Sequence, residues 1–122
     1  MSDPTEQEIA AFSNAPRVTR EDIEASIAGE HYFTAGDGFV GAQSRTTTDD
    51  AWDVSPPLQL DLLTFCALVL KNGFTVTGES ACASPENFNP DIGRRIAREN
   101  AVNKMWPLLG YALKDRLAAG EA

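Results

Sequence analysis

The strongest pattern in the chain is a pair of apolar runs, LLTFCALVLKNGFTVTGESACA, joined by Asn72-Gly73. An Asn-Gly link is the sharpest short hairpin signal, because a type I′ turn needs positive φ at both central residues. The spacing predicts strands over Leu62–Lys71 and Phe74–Ala83, with Lys71 opposite Phe74. Side chains alternate between faces with period two. One face then carries Leu63, Phe65, Val69, Phe74 and Val76, the expected core face. The other carries Thr64, Cys66, Leu68, Leu70, Thr75, Thr77 and Glu79, a mixture suited to a subunit interface or a ligand floor. In this register Cys66 and Cys82 point to opposite faces, beyond the reach of a disulfide. Two free thiols are expected.

Helical signals flank the hairpin. Thr19 stands as an N-cap with Asp22 in the capping-box position, and Ile23 and Ile27 follow at i, i+4, which predicts a helix over 20–32. A shorter helix over 5–12 follows Asp3-Pro4. Residues 34–57, TAGDGFVGAQSRTTTDDAWDVSPP, read as a long loop, and loops of that length are functional or solvated insertions. Ser84-Pro85 and Asn89-Pro90 each place a capping residue before proline. From Pro90 onward Ile92, Ile96, Met105, Leu109, Leu113 and Leu117 recur at near-helical spacing. Pro107 interrupts them and predicts a kink or break near Lys104–Trp106 before the helix resumes to about Ala119. The fold class is therefore α+β: an antiparallel hairpin packed with two main helices, the C-terminal one kinked. It forms a single domain over 1–122, with about 1–15 and 38–56 flexible.

Charge adds a bias to this frame. The 122 residues carry 10 Lys+Arg against 18 Asp+Glu, a net charge of −8, with a pI near 4.5. That balance argues against direct nucleic-acid binding. No run approaches the roughly 18 apolar residues of a membrane span, and the N-terminus lacks the basic start and apolar stretch of a signal peptide. A soluble, intracellular protein is expected. Residues 1–56 hold 11 acids and 3 bases, whereas 57–122 hold 7 of each. Within 89–116, six Lys/Arg face three acids.

Candidate chemistry is sparse. One histidine and two cysteines lack zinc-ligand spacing, so neither metal nor cofactor is expected. Gly36-Asp37-Gly38-Phe39-Val40-Gly41 matches G-x-G-x-x-G, but the pattern predicts a helix before it and a Thr/Asp-rich loop after it, where a dinucleotide fingerprint needs a strand and then a helix. Gly78-Glu79-Ser80-Ala81-Cys82 departs from the nucleophile elbow at its last position, and the only histidine lies upstream. Asp49, Asp50 and Asp53 lack the glycine and terminal glutamate of a calcium loop. His31-Tyr32-Phe33, at the end of the second helix, offers aromatics able to stack on a ring or pack on the core.

The basic helix is more informative. Arg95 has acids at i−4 and i+4, Asp91 and Glu99, and reads as a surface ion pair. Arg94 and Arg98 share a helix edge with no acid four residues away, so they read as a clamp for phosphate or carboxylate or as a solvated face. Asn100 and Asn103 are poor helix formers, suggesting a polar contact to a ligand, to nearby backbone or to a partner subunit. The candidate ligand site comprises Arg94, Arg98, Asn100 and Lys104, with His31 and Tyr32 nearby on the same or a neighbouring subunit.

The run KNGFTVTGESACASPENFNPDIGRRIARENAVNKMWPLLGYALKDRL, with PRVTREDIEASIAGEHYFTAGDG upstream, resembles the gp-forty-nine-like family of small tailed-phage and prophage proteins. The resemblance implies a phage-encoded accessory protein acting in the host bacterial cytoplasm. It supplies no catalytic or binding residues. Three function classes follow. One is a non-enzymatic binder that sequesters a small anionic, nucleotide-like host signal as counter-defence. Another is an acidic inhibitor of a host protein, acting as a nucleic-acid mimic. The third is an enzyme, disfavoured by the absence of any catalytic constellation. The mixed hairpin face further suggests a homo-oligomer.

Overall fold

The Asn-Gly hairpin forms, but its turn is one residue longer than the two-residue link. Leu70 N–H donates to Phe74 O at 2.8 Å and Gly73 N–H donates to Leu70 O at 2.9 Å. Gly73 has φ of +89° while Asn72 stays at negative φ, and the Asn72 side chain instead accepts from Phe74 N–H at 2.9 Å. This is the three-residue hairpin loop that ends on a left-handed glycine.

The computed structural model describes residues 5, 7, 8, 15–46 and 55–121. In chain order it has helix α1 (Arg20–Ala25), strand β1 (Ile27–Thr34), helix α2 (Ala35–Thr46), a 3₁₀ turn (Leu58–Leu62), strands β2 (Leu63–Leu70) and β3 (Thr75–Ala81), a 3₁₀ turn (Pro85–Asn87) and helix α3 (Pro90–Ala118). The strands form one antiparallel sheet in the order β1-β2-β3. The fold is α+β, with the hairpin extended by a third strand.

The longer turn resets the register. Leu68 lies opposite Val76 and Cys66 opposite Gly78, so each β3 residue meets β2 one position away from the expected pairing. A one-residue slip exchanges the faces that paired residues share. The buried face is Thr64, Cys66, Leu68 and Leu70 with Val76, and α3 covers it with Ala97, Ala101, Val102 and Met105. The expected core face is the reverse: Leu63, Phe65 and Val69 are half-buried and Phe74 is exposed. The face proposed for self-association is thus the core itself. Both cysteines are free, though for another reason than expected. The corrected register puts them on the same side, about four residues or ~13 Å apart along the strands.

The helix expected over 20–32 stops at Ala25. Its start is as read: Thr19 Oγ1 accepts from Asp22 N–H, and the Asp22 carboxylate accepts from Thr19 N–H. After Ser26, the β-formers Ile27, Tyr32, Phe33 and Thr34 outweigh the helical spacing, and Lys71 N–H donates to Ser26 O to draw this segment onto the hairpin. Of the helix expected over 5–12, Gln7 and Glu8 are helical and the rest lies outside the described residues.

The loop expected over 34–57 is a helix as far as Thr46. Three glycines disfavour it by roughly 1 kcal/mol each. A capping box opens it nonetheless: Thr34 N–H donates to Asp37 Oδ2 at 2.9 Å, and Asp37 N–H donates to Thr34 Oγ1 at 3.0 Å. A Cβ on Gly36 would lie 2.1 Å from Asp61 Oδ1, the tip of an exposed side chain that would have to swing aside. Asp49, Asp50 and Asp53 lie outside the described residues.

Helix α3 begins as read, with Asn89 Oδ1 accepting from Asp91 and Ile92 N–H. The break expected at Pro107 does not occur, and the helix runs on through it to Ala118. Over its first three turns the buried stripe is not the large residues. Ile92 and Ile96 are exposed, whereas Gly93, Ala97 and Ala101 are buried. The reason is close approach to the sheet. A Cβ on Gly78 would lie 2.2 Å from Ala97 O and 2.3 Å from Ala101 N.

Candidate functional site

The structure separates the sequence-derived candidates. Arg98 does not stand free. Its guanidinium donates to Glu24 at 2.7 and 3.1 Å and to Glu30 at 2.8 and 3.2 Å. No acid lies four residues away on α3, but α1 and β1 each supply one. Hydrogen bonds from Arg98 hold both carboxyls below their ordinary range and push the guanidinium further up. Tyr32 joins the same network by donating to Glu30 Oε1 at 2.8 Å. Burial, then that bond, pushes its phenol up.

Asn100 ties α3 to the sheet edge, donating to Glu79 O at 2.8 Å. Its low helix propensity is thus explained by a backbone contact. Lys104 is exposed and about 15 Å along the helix axis from Arg94. His31 faces away from Tyr32 because neighbours on a strand alternate. Its Nε2 lies over Gly29, 3.3 Å from where a Cβ would stand. Arg95 pairs with Asp91 at 3.3 Å as expected, while Glu99 pairs instead with Arg20 at 3.1 Å.

Arg94 remains. It is exposed and, among the described residues, makes no ion pair. It lines a cleft of about 150 Å³ where three elements meet. Strand β1 contributes Tyr32, Phe33 and Thr34, α2 contributes Asp37, and β2 contributes Thr64. Phe88, just before α3, and Pro90, its first residue, complete the lining. Thr64 is 3% exposed and its hydroxyl has no hydrogen-bond partner. Leaving such a group unsatisfied costs about 1–3 kcal/mol, and this hydroxyl lies beneath the floor of the cleft, shut off from solvent. Gly93 leaves it room, since a Cβ there would approach Thr64 Oγ1 to 3.0 Å. A larger groove of about 450 Å³ between α1, the hairpin turn and the end of α3 includes Leu109, Lys71 and Arg116. None of the expected ligand residues lines it.

Of the expected set, the cleft thus unites Arg94 and Tyr32 and adds Thr64, Asp37 and Phe88. Thr34-x-x-Asp37 is legible in the sequence as a capping box that places Asp37. Nothing local marks Thr64 as unpartnered.

These features define a small α+β protein with one long helix laid across a three-stranded sheet and a polar cleft at that helix's start. Among the described residues no helix is long and apolar enough to cross a membrane, and no three His, Cys, Asp or Glu side chains cluster as a metal site. Residues 18–117 match the phage protein (N4 Gp49/phage Sf6 gene 66) family. The chain belongs to that family and is a phage protein. No curated protein and no solved structure matches it.

Proposed function

We propose that this phage protein binds a small anionic, nucleotide-like molecule at the Arg94 cleft, stoichiometrically and without catalysis. In this reading it withdraws a host signalling molecule in the bacterial cytoplasm. The observation that carries the reading is the exposed Arg94 guanidinium, which makes no ion pair among the described residues, at a cleft lined by Tyr32 and Phe88. A guanidinium unpaired among the described residues is available to phosphate or carboxylate in bidentate geometry, and aromatic walls suit a planar ring. The polar side chains of the cleft offer recognition rather than a nucleophile paired with a base. The Asp37 carboxylate already accepts from Thr34 N–H.

The alternative, an acidic decoy for a host protein, has less support. Glu24 and Glu30 are neutralised by Arg98, Glu99 by Arg20, and Asp22 and Asp37 serve as helix caps. Four of the eleven acids of the N-terminal half are therefore already engaged by the fold.

Calorimetric titration with ribonucleoside monophosphates and cyclic dinucleotides tests the proposal. A charge-assisted hydrogen bond contributes about 1.5–3 kcal/mol, so Arg94→Ala should weaken binding roughly ten- to a hundredfold. Arg95→Ala, whose charge is paired with Asp91, should change little. No binding by any of these ligands, or binding indifferent to Arg94→Ala, would overturn the reading.

A further inference from the structure

We infer that the larger groove is a docking surface for an acidic amphipathic helix of a partner protein, separate from the Arg94 cleft. The groove, of about 450 Å³, lies between α1, the hairpin turn and the end of α3. Leu109 and Leu113 line it from α3, one turn apart. Arg116 follows on the same face at i+3 from Leu113. Leu113 is about 28 Å along the helix axis from Arg94, so the two sites do not overlap.

The floor of the groove is apolar. Leu70 belongs to the core, and Val18 and Leu109 pack against it. Val18, Leu109 and Leu113 are each only half-buried. The groove therefore carries the core outward to an open surface.

The rim has the opposite charge to the chain as a whole. Three bases line the groove, Arg17, Lys71 and Arg116, against one acid, Asp22. Asp22 Oδ2 already accepts from Thr19 N–H at 2.9 Å. Lys71 and Arg116 are exposed and, among the described residues, make no ion pair. The chain carries −8 overall, but charges beyond a Debye length of about 8 Å are screened. The local field at the groove is that of its own cations.

Apolar floor and basic rim together select the occupant. A helix with apolar residues at i and i+4 and carboxylates beside them sets the first on the leucines and the second against Lys71 and Arg116. The groove is open on one side, which leaves the polar face of that helix in water. A phosphate polymer gains nothing from the leucine floor, and a flat lipid surface does not enter a concavity between two helices.

The test is fluorescence anisotropy of a labelled synthetic helix of Glu, Ala and Leu, about four turns long with its leucines along one face, titrated with the full chain. Saturable binding is expected. It should weaken about three- to tenfold in Lys71→Glu and in Arg116→Glu, where a screened ion pair gives way to repulsion. Arg95→Glu, the same charge change near the start of α3, should leave it unchanged. A helix with lysine in place of glutamate should bind the Lys71→Glu/Arg116→Glu double variant and not the unmodified chain, because complementarity is restored with the signs exchanged. Unchanged melting temperatures would show that these exposed substitutions leave the fold intact. No binding of the acidic helix, or binding indifferent to both reversals, would overturn the inference. So would binding to phosphatidylglycerol vesicles, in place of the helix, that depends on the same two residues. None of these results bears on the Arg94 cleft.

Discussion

Replacing Arg98 by methionine tests how the helix, β1 and α1 are held together. Methionine keeps much of the apolar stem and removes the charge. The Arg98 side chain is 24% exposed, and its partners Glu24 and Glu30 are 42% and 36% exposed. Its bonds to both glutamates are charge-assisted, each worth about 1.5–3 kcal/mol when shielded. Solvent at the two carboxylates reduces that considerably. A net loss of about 2–3 kcal/mol is therefore expected, a substantial part of the roughly 5–15 kcal/mol that stabilises a domain.

Urea unfolding followed by circular dichroism at pH 7 measures it, and pH supplies a second check. Both carboxyls are held below their unfolded value of 4.5 by Arg98. Their contribution is complete above that value and is lost as pH falls through the lower folded values. The gap between the unmodified protein and Arg98→Met should therefore narrow below about pH 4.5. A gap under about 0.5 kcal/mol at pH 7, the size of an ordinary surface change, would refute the reasoning. So would a gap that does not narrow in acid.

Other consequences can be measured alongside. Gly78→Ala should cost more than about 3 kcal/mol or prevent folding, since its Cβ would meet helix backbone at Ala97 and Ala101, and overpacking typically costs about 1–3 kcal/mol even where side chains can yield; an unchanged urea midpoint would contradict the packing. Thr64→Val should leave the protein as stable or more stable, because it removes an unpartnered buried hydroxyl; a lowered urea midpoint would contradict it. Leu68→Lys places a charge at a fully buried position, so circular dichroism should show loss of the cooperative transition rather than the dissociation that an interface position would give.

The hairpin, the N-caps at Thr19 and Asn89, and the α+β class were all legible in local residue chemistry. The register was not, because Asn-Gly serves both two- and three-residue turns and the choice depends on the strands around it. The segment after Ser26 misled because Ile23 and Ile27 fit helical spacing, while the pull onto the hairpin is tertiary. In α3 the exposed Ile92 and Ile96 drew attention from Gly93, Ala97 and Ala101, since a hydrophobic pattern ranks size whereas close packing on Gly78 selects its absence. The site was half visible for the same reason. Spacing along α3 showed that Arg94 and Arg98 have no acid four residues away. Only the fold shows that Glu24 and Glu30 reach Arg98 and that neither pairs with Arg94.

The most direct test of the cleft is an amide ¹H–¹⁵N titration of the full chain with an equimolar mixture of the four ribonucleoside monophosphates. Saturable shifts confined to Tyr32–Thr34, Asp37, Thr64 and the segment from Phe88 to Arg94, and lost in Arg94→Ala, are the predicted result. Shifts centred instead on Lys71, Leu109 and Arg116 in the larger groove, or none at all, would contradict it.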